Sequence, residues 1–363
     1  MAGGGAPYPQ TLHLTVSCGV SIDVSVIIPC RNESSTIEQV LLDLHMQSFS
    51  GTMEVVVADG CSDDGTREIL DAAVRGGQHR FQLQVITNDQ RIIPSALNRA
   101  VEAARGNYIV RVDGHSRVPP TYVAEIVAAL RDGKADVVGP QVRYIPGSSS
   151  AVGFAIATLQ ASVFGTGGTA SRRTLSQPQR VVHAVMSCYR RQVWETIGGY
   201  DESLLTNEDF DFDYRASAAG FTVMALPSPQ FRLLARPTLG GLISQRWRYG
   251  WWKAAVVKKH PGSLHLRQVL PVLALLGFLV LLGMSVTGAS YAVALLAIIY
   301  GYVGLSSCAA LLSLVPVVLD EQSPDGKSIL TTMLVAPLVY ATIHGVWAAG
   351  VLAGLVFGSI RRS

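Results

Sequence analysis

At 363 residues the chain has room for one large domain and additions, but 49% of it is hydrophobic and only 15% charged, more apolar than an ordinary water-soluble domain. A net charge of +3 gives nucleic-acid binding no electrostatic footing. The five cysteines (Cys18, Cys30, Cys61, Cys188, Cys308) are scattered and form no CxxC pair, which argues against a disulfide framework or zinc site and for reduced thiols in a cytosolic compartment.

The apolar excess is uneven along the chain. Residues 1–22 lack the basic start and long apolar core of a signal peptide and are expected to be a flexible lead-in. Val24–Ile28 is a β-branched run stopped by Pro29, a buried-strand pattern. Ser34 and Ser35 can cap a helix to about Gln47, with Ile37, Val40, Leu41 and Leu44 at helical spacing. Glu54–Ala58 is a second strand, and Asp63 or Asp64 can cap a helix over Arg67–Val74. Leu83–Thr87 is a third strand, Pro94 opens a helix to Ala104, Tyr108–Val112 is a fourth strand, and Pro119-Pro120 opens a helix to Leu130. Strands and helices alternating at this spacing predict a mostly parallel sheet covered by helices on both faces.

Beyond these, Gly165–Arg180 is rich in Gly, Ser, Thr and Arg and reads as a mobile loop in which Arg172 and Arg173 are solvated charges. His183–Tyr189 returns to the sheet, Glu208–Ala219 is helical, and Phe221–Leu226 and Phe231–Ala235 are extended. Leu239–Lys259 interleaves Trp247, Trp251 and Trp252 with Arg246, Arg248, Lys253, Lys258 and Lys259, the pattern of a helix at a membrane–water interface. Three apolar stretches follow, Val269–Val286, Tyr291–Leu319 and Ile329–Phe357, each long enough to span a hydrocarbon core. The cations before Leu270 put the main domain on the cytoplasmic side; three spans then leave Arg361-Arg362 outside, which the positive-inside rule disfavours. His344, inside the last stretch, reads as a helix-packing histidine.

Three acidic sites punctuate the first 210 residues. Asp113 and His115 follow the fourth strand and can face one divalent cation, Mn²⁺ or Mg²⁺, that bridges the phosphates of a nucleotide-sugar. Asp59 ends the second strand and can accept a hydrogen bond from a nucleotide's base or ribose. Asp209, with Glu208 second, can take the proton of an attacking hydroxyl, whereas Asp211 and Asp213 read as solvated helix positions. Each site has a plain structural explanation as well: a strand-end turn, an Asp-Gly turn, an acidic first helical turn. Their convergence moves the reading, because Pro29–Glu33, Asp59 and Asp113 all fall at the carboxyl ends of predicted parallel strands, where such sheets bind ligands. Gln245, Trp247 and Arg248 either belong to the interfacial face or reach the diphosphate and acceptor.

In order along the chain, Val26-Ile-Ile-Pro-Cys-Arg-Asn-Glu33, Asp59–Thr66, Asp113-Gly-His115, Gly198-Gly-Tyr-Asp201, Asn207-Glu-Asp209 and Gln245–Tyr249 resemble the family 2 inverting glycosyltransferases, and within them the succinoglycan-type exopolysaccharide transferases (the ExoA-like group). The resemblance covers about residues 23–260. It implies an α/β GT-A fold, a Rossmann-like domain with a mostly parallel sheet. Residues 23–237 would be that catalytic domain, 238–263 an amphipathic interfacial helix and 264–363 a transmembrane region of about three helices. It also implies a nucleotide-sugar donor (a UDP-sugar by family habit), a divalent metal and inversion at the anomeric carbon. Pro29, Asn32, Glu33, Asp59 and Asp113 would line the donor pocket, Asp113 as first acid of the metal motif, with Asp209 the base and Gln245 and Arg248 in a Q-x-x-R-W-like element. The chain departs from the pattern at His115, which stands in place of a second aspartate, and in the order Gln-Arg-Trp-Arg-Tyr, which is not the strict processive-synthase form. The expectation is therefore a multi-pass cell-membrane enzyme with a cytoplasmic catalytic domain. Its partners would be membrane lipids and a polyprenyl-linked or growing glycan acceptor, with no nucleic acid. A processive polysaccharide synthase and an inactive membrane scaffold are the alternatives.

Overall fold

A computed structural model of the chain describes residues 21–166, 175–318 and 325–358. The first half alternates as the apolar runs predict: β1 (Val24–Cys30), α1 (Ile37–His45), β2 (Met53–Asp59), α2 (Thr66–Gly76), β3 (Gln82–Thr87), α3 (Ile93–Ala103) and β4 (Tyr108–Arg111). β1 is parallel to β2 and β4, and β2 to β3. All seven residues of β1 are buried, because helices cover both faces of this part of the sheet. Each large aliphatic side chain so buried contributes about 1.5–3 kcal/mol.

The second half completes the sheet with β5 (Ser116–Arg117), α4 (Tyr122–Arg131), β6 (Val137–Ile145), α5 (Ala151–Ala161), α6 (Val163–Thr166), β7 (Gln179–Arg180), β8 (Cys188–Arg190), α7 (Arg191–Ile197), α8 (Glu208–Ala218) and β9 (Val223–Leu234). Among the described residues the strand order is β3-β2-β1-β4-β8-β6-β9-β5, with β7 on β9. β8 is antiparallel to β4 and β6, so the sheet is mixed, while β6 runs parallel to β9. Two extended pieces expected at 221–226 and 231–235 are one strand, β9, continuous through a cis Ser228–Pro229 bond. The expected loop over 165–180 takes in the end of α6 at its start and β7 at its end; Arg172 and Arg173 lie outside the described residues. The predicted caps differ too. Gly65, in the left-handed region, directly precedes α2 and offers no side-chain cap; Asp64 Oδ1 accepts from the backbone of Thr66, the first residue of α2, at 3.0 Å, while its Oδ2 and Asp63 also tie the neighbouring loop.

Gly198-Gly-Tyr-Asp201 is a structural hook. Gly198 ends α7 at φ +78°, and a Cβ on Gly199 would meet Asn98 Oδ1 at 2.7 Å. Asn98 donates to and accepts from the Tyr200 backbone, which pins α7 to α3.

Among the described residues five α-helices follow β9. α9 (Leu239–Lys259) leads through a short turn to α10 (Leu266–Met284), α11 (Ala289–Val318), α12 (Gly326–Ala341) and α13 (Trp347–Phe357), with a π-helical turn at Thr342–Val346 joining the last two. Among the described residues three helices are long and apolar enough to cross a membrane, Leu266–Met284, Ala289–Val318 and Gly326–Phe357, within a few residues of the expected stretches. α9 is seated on α13. A Cβ on Gly250 would meet the Trp347 carbonyl at 2.1 Å, and one on Gly354 the Trp251 carbonyl at 2.6 Å, so only glycine permits this approach. Lys258 Nζ then donates to the Gly354 and Gly358 carbonyls at 3.0 and 2.7 Å, capping the end of α13. The two helices therefore run parallel, and residue 358 lies beside residue 258.

Candidate active site

The loops after β1, β2 and β4 meet at the carboxyl edge of the sheet. Cys30 and Asp59 are register partners at the ends of β1 and β2. Asn32, at φ +57°, donates from its backbone to Ser62 Oγ at 2.9 Å and from Nδ2 to Asp63 Oδ1 at 2.9 Å, and its Oδ1 accepts from the Asp63 backbone at 3.0 Å. Glu33 N donates to Thr66 Oγ1 and Ser34 N to Asp64 Oδ2. Pro29, buried within β1, stops one residue short of this zipper. Asp59 is 2% exposed and its Oδ1 accepts from the backbone and hydroxyl of Ser62, while Oδ2 lies 3.6 Å from Arg67. Its carboxylate braces the loop from beneath.

Asp113 and His115 sit on the β4 loop. His115 Nδ1 is 2.8 Å from Glu33 Oε1, and that bond, reinforced by the charge of Asp113, holds the imidazole pKa above its ordinary value against the opposing effect of burial. With Nδ1 donating to Glu33, Nε2 is the ring nitrogen that would be left to ligate a cation, the carboxylate–histidine arrangement usual behind a bound metal. Asp113 Oδ1 accepts from Arg111 Nε at 2.9 Å. No group of three or more His, Cys, Asp or Glu forms a metal cage among the described residues. The donor set thus fits a hard divalent cation that takes one carboxylate, one imidazole and the oxygens of a bound diphosphate.

Arg111 joins this loop to the third acidic site. Its buried guanidinium also lies 3.4 Å from Glu208 Oε1, at the start of α8. Burial works against its charge, but Asp113 and Glu208 outweigh it and hold its pKa high. Asn207, in the left-handed conformation asparagine tolerates, turns the chain into α8. Glu208 is buried, and burial together with the charge of Asp209 pushes its pKa up to about 7, with Arg111 opposing. Asp209, one residue on, is part-exposed, with its side chain 25% accessible. His183 Nε2 lies 3.7 Å from Asp209 Oδ2, and His183 Nδ1 donates to Asp213 Oδ2 at 2.8 Å. Asp213 also accepts from the Ala184 backbone and the Ser187 hydroxyl.

The expectation that Asp211 and Asp213 are solvated is wrong: both are fully buried. Asp213 holds His183, and Asp211 is neutralised by Arg215 at 2.7 Å, Lys259 at 3.3 Å and His260 at 2.8 Å, beyond the end of α9. Sequence reading missed His183, Arg111 and Asp213. The available signal was a lone polar residue inside an apolar run, Arg111 in Tyr108–Val112 and His183 in Val181–Met186.

α9 is tied to this cluster. Asn207 Nδ2 donates to the Tyr249 carbonyl at 3.3 Å, and Lys253 Nζ lies 3.8 Å over the Phe210 ring, where burial lowers its pKa to about 8. Trp247 and Arg248 are exposed, and Gln245 reaches the Tyr249 hydroxyl at 3.5 Å, so these three are not among the acid cluster's hydrogen-bond partners that the geometry defines. His344, in the π turn, donates from Nε2 to the Phe164 carbonyl at 2.9 Å and packs edge-on against Phe164, as a packing histidine does.

Residues 25–198 match the family profile "Glycosyl transferase family 2". The chain is 34% identical to the succinoglycan biosynthesis protein ExoA of Rhizobium meliloti over 68% of its own length and 74% of that protein's. It is 26% identical to the glycosyltransferase AglE of Haloferax volcanii over 70% and 81% of the two chains. Among solved structures, the mannosyltransferase PcManGT of Pyrobaculum calidifontis, in complex with GDP-Man and Mn²⁺, superposes with a TM-score of 0.57 at 20% identity over 90% of both chains, which establishes the shared GT-A fold.

Proposed function

The chain belongs to glycosyl transferase family 2, related to exopolysaccharide-synthesis enzymes, and on that footing we propose that it moves a sugar from a nucleotide-sugar donor to a lipid-linked glycan acceptor, with inversion, on the cytoplasmic face of a membrane. The observation that carries this reading is Arg111, whose guanidinium touches Asp113 on the donor loop and Glu208 beside Asp209. One buried cation thereby fixes the spacing between the donor loop and the acid that meets the acceptor, the positioning that direct displacement requires.

Asn32, Glu33 and Asp59 shape the nucleotide pocket through the two zipped loops. Asp113 Oδ and His115 Nε2 would hold a divalent cation, which when bound supplies positive charge to the departing diphosphate. Asp209 accepts the acceptor hydroxyl's proton, and its partial exposure leaves it reachable while Glu208 stays buried. Gln245, Trp247 and Arg248 would serve the acceptor side, a reading supported only by their place on α9, whose Tyr249 carbonyl receives Asn207 Nδ2. The test is nucleoside diphosphate release by the purified full chain with Mn²⁺ or Mg²⁺ across UDP-, GDP- and dTDP-sugars. We expect one donor to be consumed and the product's anomeric configuration to be opposite to the donor's. Retention, or no release with any donor, would overturn the reading.

We propose a membrane arrangement that the Lys258–Gly358 contact supports. α10 starts eight residues after Lys258, so the end of α13 and the start of α10 share one side. α10 and α11 cross and return, and α12–α13 lies along α5 and α9 beneath the catalytic domain. Residue 358 then falls on the cytoplasmic side with the cations of α9, as the positive-inside rule favours for those cations. A side-sensitive reporter fused after Ser363 should read cytoplasmic; a reading on the far side would restore three crossings.

A further inference from the structure

Lys253 of α9 is 4% exposed, yet among the described residues no Asp or Glu pairs with it. Its ammonium meets one carbonyl, that of Ser263 at 3.4 Å, and the face of the Phe210 ring at 3.8 Å. Burying an ammonium without a carboxylate is costly, and a methionine of similar length would fill the same place without that cost. Burial, with the charge of Arg267, lowers the Lys253 pKa to about 8, so the side chain is still a cation at neutral pH. A desolvated cation on a ring face is held more firmly than one in water.

Phe210 is where this cation meets the acid cluster. Its backbone N–H donates to Asp209 Oδ1 at 2.7 Å, and its ring centroid lies 5.5 Å from that of His183 in edge-to-face contact. His183 Nε2 in turn faces Asp209 Oδ2 at 3.7 Å. One phenylalanine thus touches the carboxylate through its backbone, that carboxylate's imidazole neighbour through its ring, and Lys253 through its ring face. Leu204 and Val256 are buried in the same cluster. The support behind Lys253 is firm, because its neighbour Ala254 lies where α9 presses on α13: a Cβ on Gly354 would meet Ala254 Cβ at 2.8 Å. Groups placed from packed helices are held more closely than groups placed from loops.

We propose that Lys253 is a positioning residue for sugar transfer: its ammonium pins the Phe210 ring, and Phe210 holds His183 and the Asp209 carboxylate in the attitude that receives the acceptor proton. The helix seated on α13 thereby sets the base as well as flanking it. This rests on the reading of Asp209 as base for its purpose, but not for the contacts themselves.

The test uses the full chain in detergent micelles. It follows nucleoside diphosphate release from the accepted donor, thermal unfolding and, in histidine-labelled protein, the NMR resonance of the His183 ring, identified by its loss in His183→Asn. Lys253→Met should leave Tm at or above the wild-type value, because it removes a buried charge that has no acid partner. The same variant should lower kcat by about tenfold or more with donor KM changed by less than about twofold, and should shift the His183 resonance. Lys253→Arg, which keeps a cation for the ring, should retain at least about a third of the wild-type kcat. In the Asp209→Asn background Lys253→Met should cost nothing further, since the lysine acts through that carboxylate. A Lys253→Met protein with wild-type kcat, one that melts earlier, a Lys253→Arg protein as slow as Lys253→Met, or a loss that multiplies with that of Asp209→Asn each overturns the proposal. Full activity in Asp209→Asn would sink the base reading, whereas an unmoved His183 resonance in Lys253→Met sinks the positioning role whatever the base.

Discussion

Asp209→Asn should lower kcat by about 10²–10⁴-fold with donor KM little changed, the loss expected when a general base is removed and its shape kept. The carboxylate is the part-exposed member of its pair, and it has a built support. His183 Nε2 faces it at 3.7 Å, and His183 is held from behind by Asp213, itself fully buried and bonded to Ala184 and Ser187. His183 is therefore a positioning residue. His183→Ala should cost less than Asp209→Asn, act on kcat rather than donor KM, and be partly rescued by His183→Asn, which keeps a donor toward Asp213. If Glu208 were the base, the acid limb of the pH–rate profile would fall near 7, where burial holds that carboxyl, and Glu208→Gln would abolish it. We expect the limb to survive Glu208→Gln and to vanish in Asp209→Asn.

Asp113→Asn should cost about 10²–10³-fold in kcat/KM for the donor, the scale of losing one preorganised charge contact at a leaving group. It removes a carboxylate from the donor loop and also strips Arg111 of one of its two anionic partners, so the buried guanidinium is under-compensated. The measurement must include thermal unfolding, because a fall in Tm would report the Arg111 defect separately from the kinetic loss. His115→Ala leaves that pair intact. Its expected signature is a rise of about 10–100-fold in the Mn²⁺ concentration that half-saturates activity, with little change in Tm. Glu33→Gln, which loosens the hold on Nδ1, should move the same constant in the same direction by less. A His115→Ala enzyme with an unshifted Mn²⁺ dependence would remove the imidazole from the metal site.

Much of the catalytic domain was legible in sequence for a physical reason. β1, β2 and β4 are largely buried, so they are short apolar, mostly β-branched runs with sharp stops at Pro29, Asp59 and Asp113, and the stops are where the site is built. β6 escaped because Gly139 and Pro140 interrupt it at a register shift, which breaks the pattern a strand normally shows. α5 escaped because it is covered by the sheet on one side and by α12 on the other, and an all-round apolar helix has no amphipathic period to detect. The burial of Asp211 and Asp213 was not legible at all. Their partners come from residues as distant as His183 and His260, and an acidic run at a helix start looks the same whether those partners arrive or not. The seating of α9 on α13 was likewise hidden, since Gly250, Gly350 and Gly354 signal close approach only once the facing helix is known.

The central claim is that a cation held by Asp113 and His115 steadies the departing diphosphate while Asp209 readies the acceptor. It is tested most directly by following nucleoside diphosphate release from the accepted donor as EDTA is titrated in and Mn²⁺ is then restored. We predict that release falls to background with chelation and returns in full with Mn²⁺, and that Asp113→Asn does not recover at the same Mn²⁺ level. Release that continues at the full rate in excess EDTA would contradict the account.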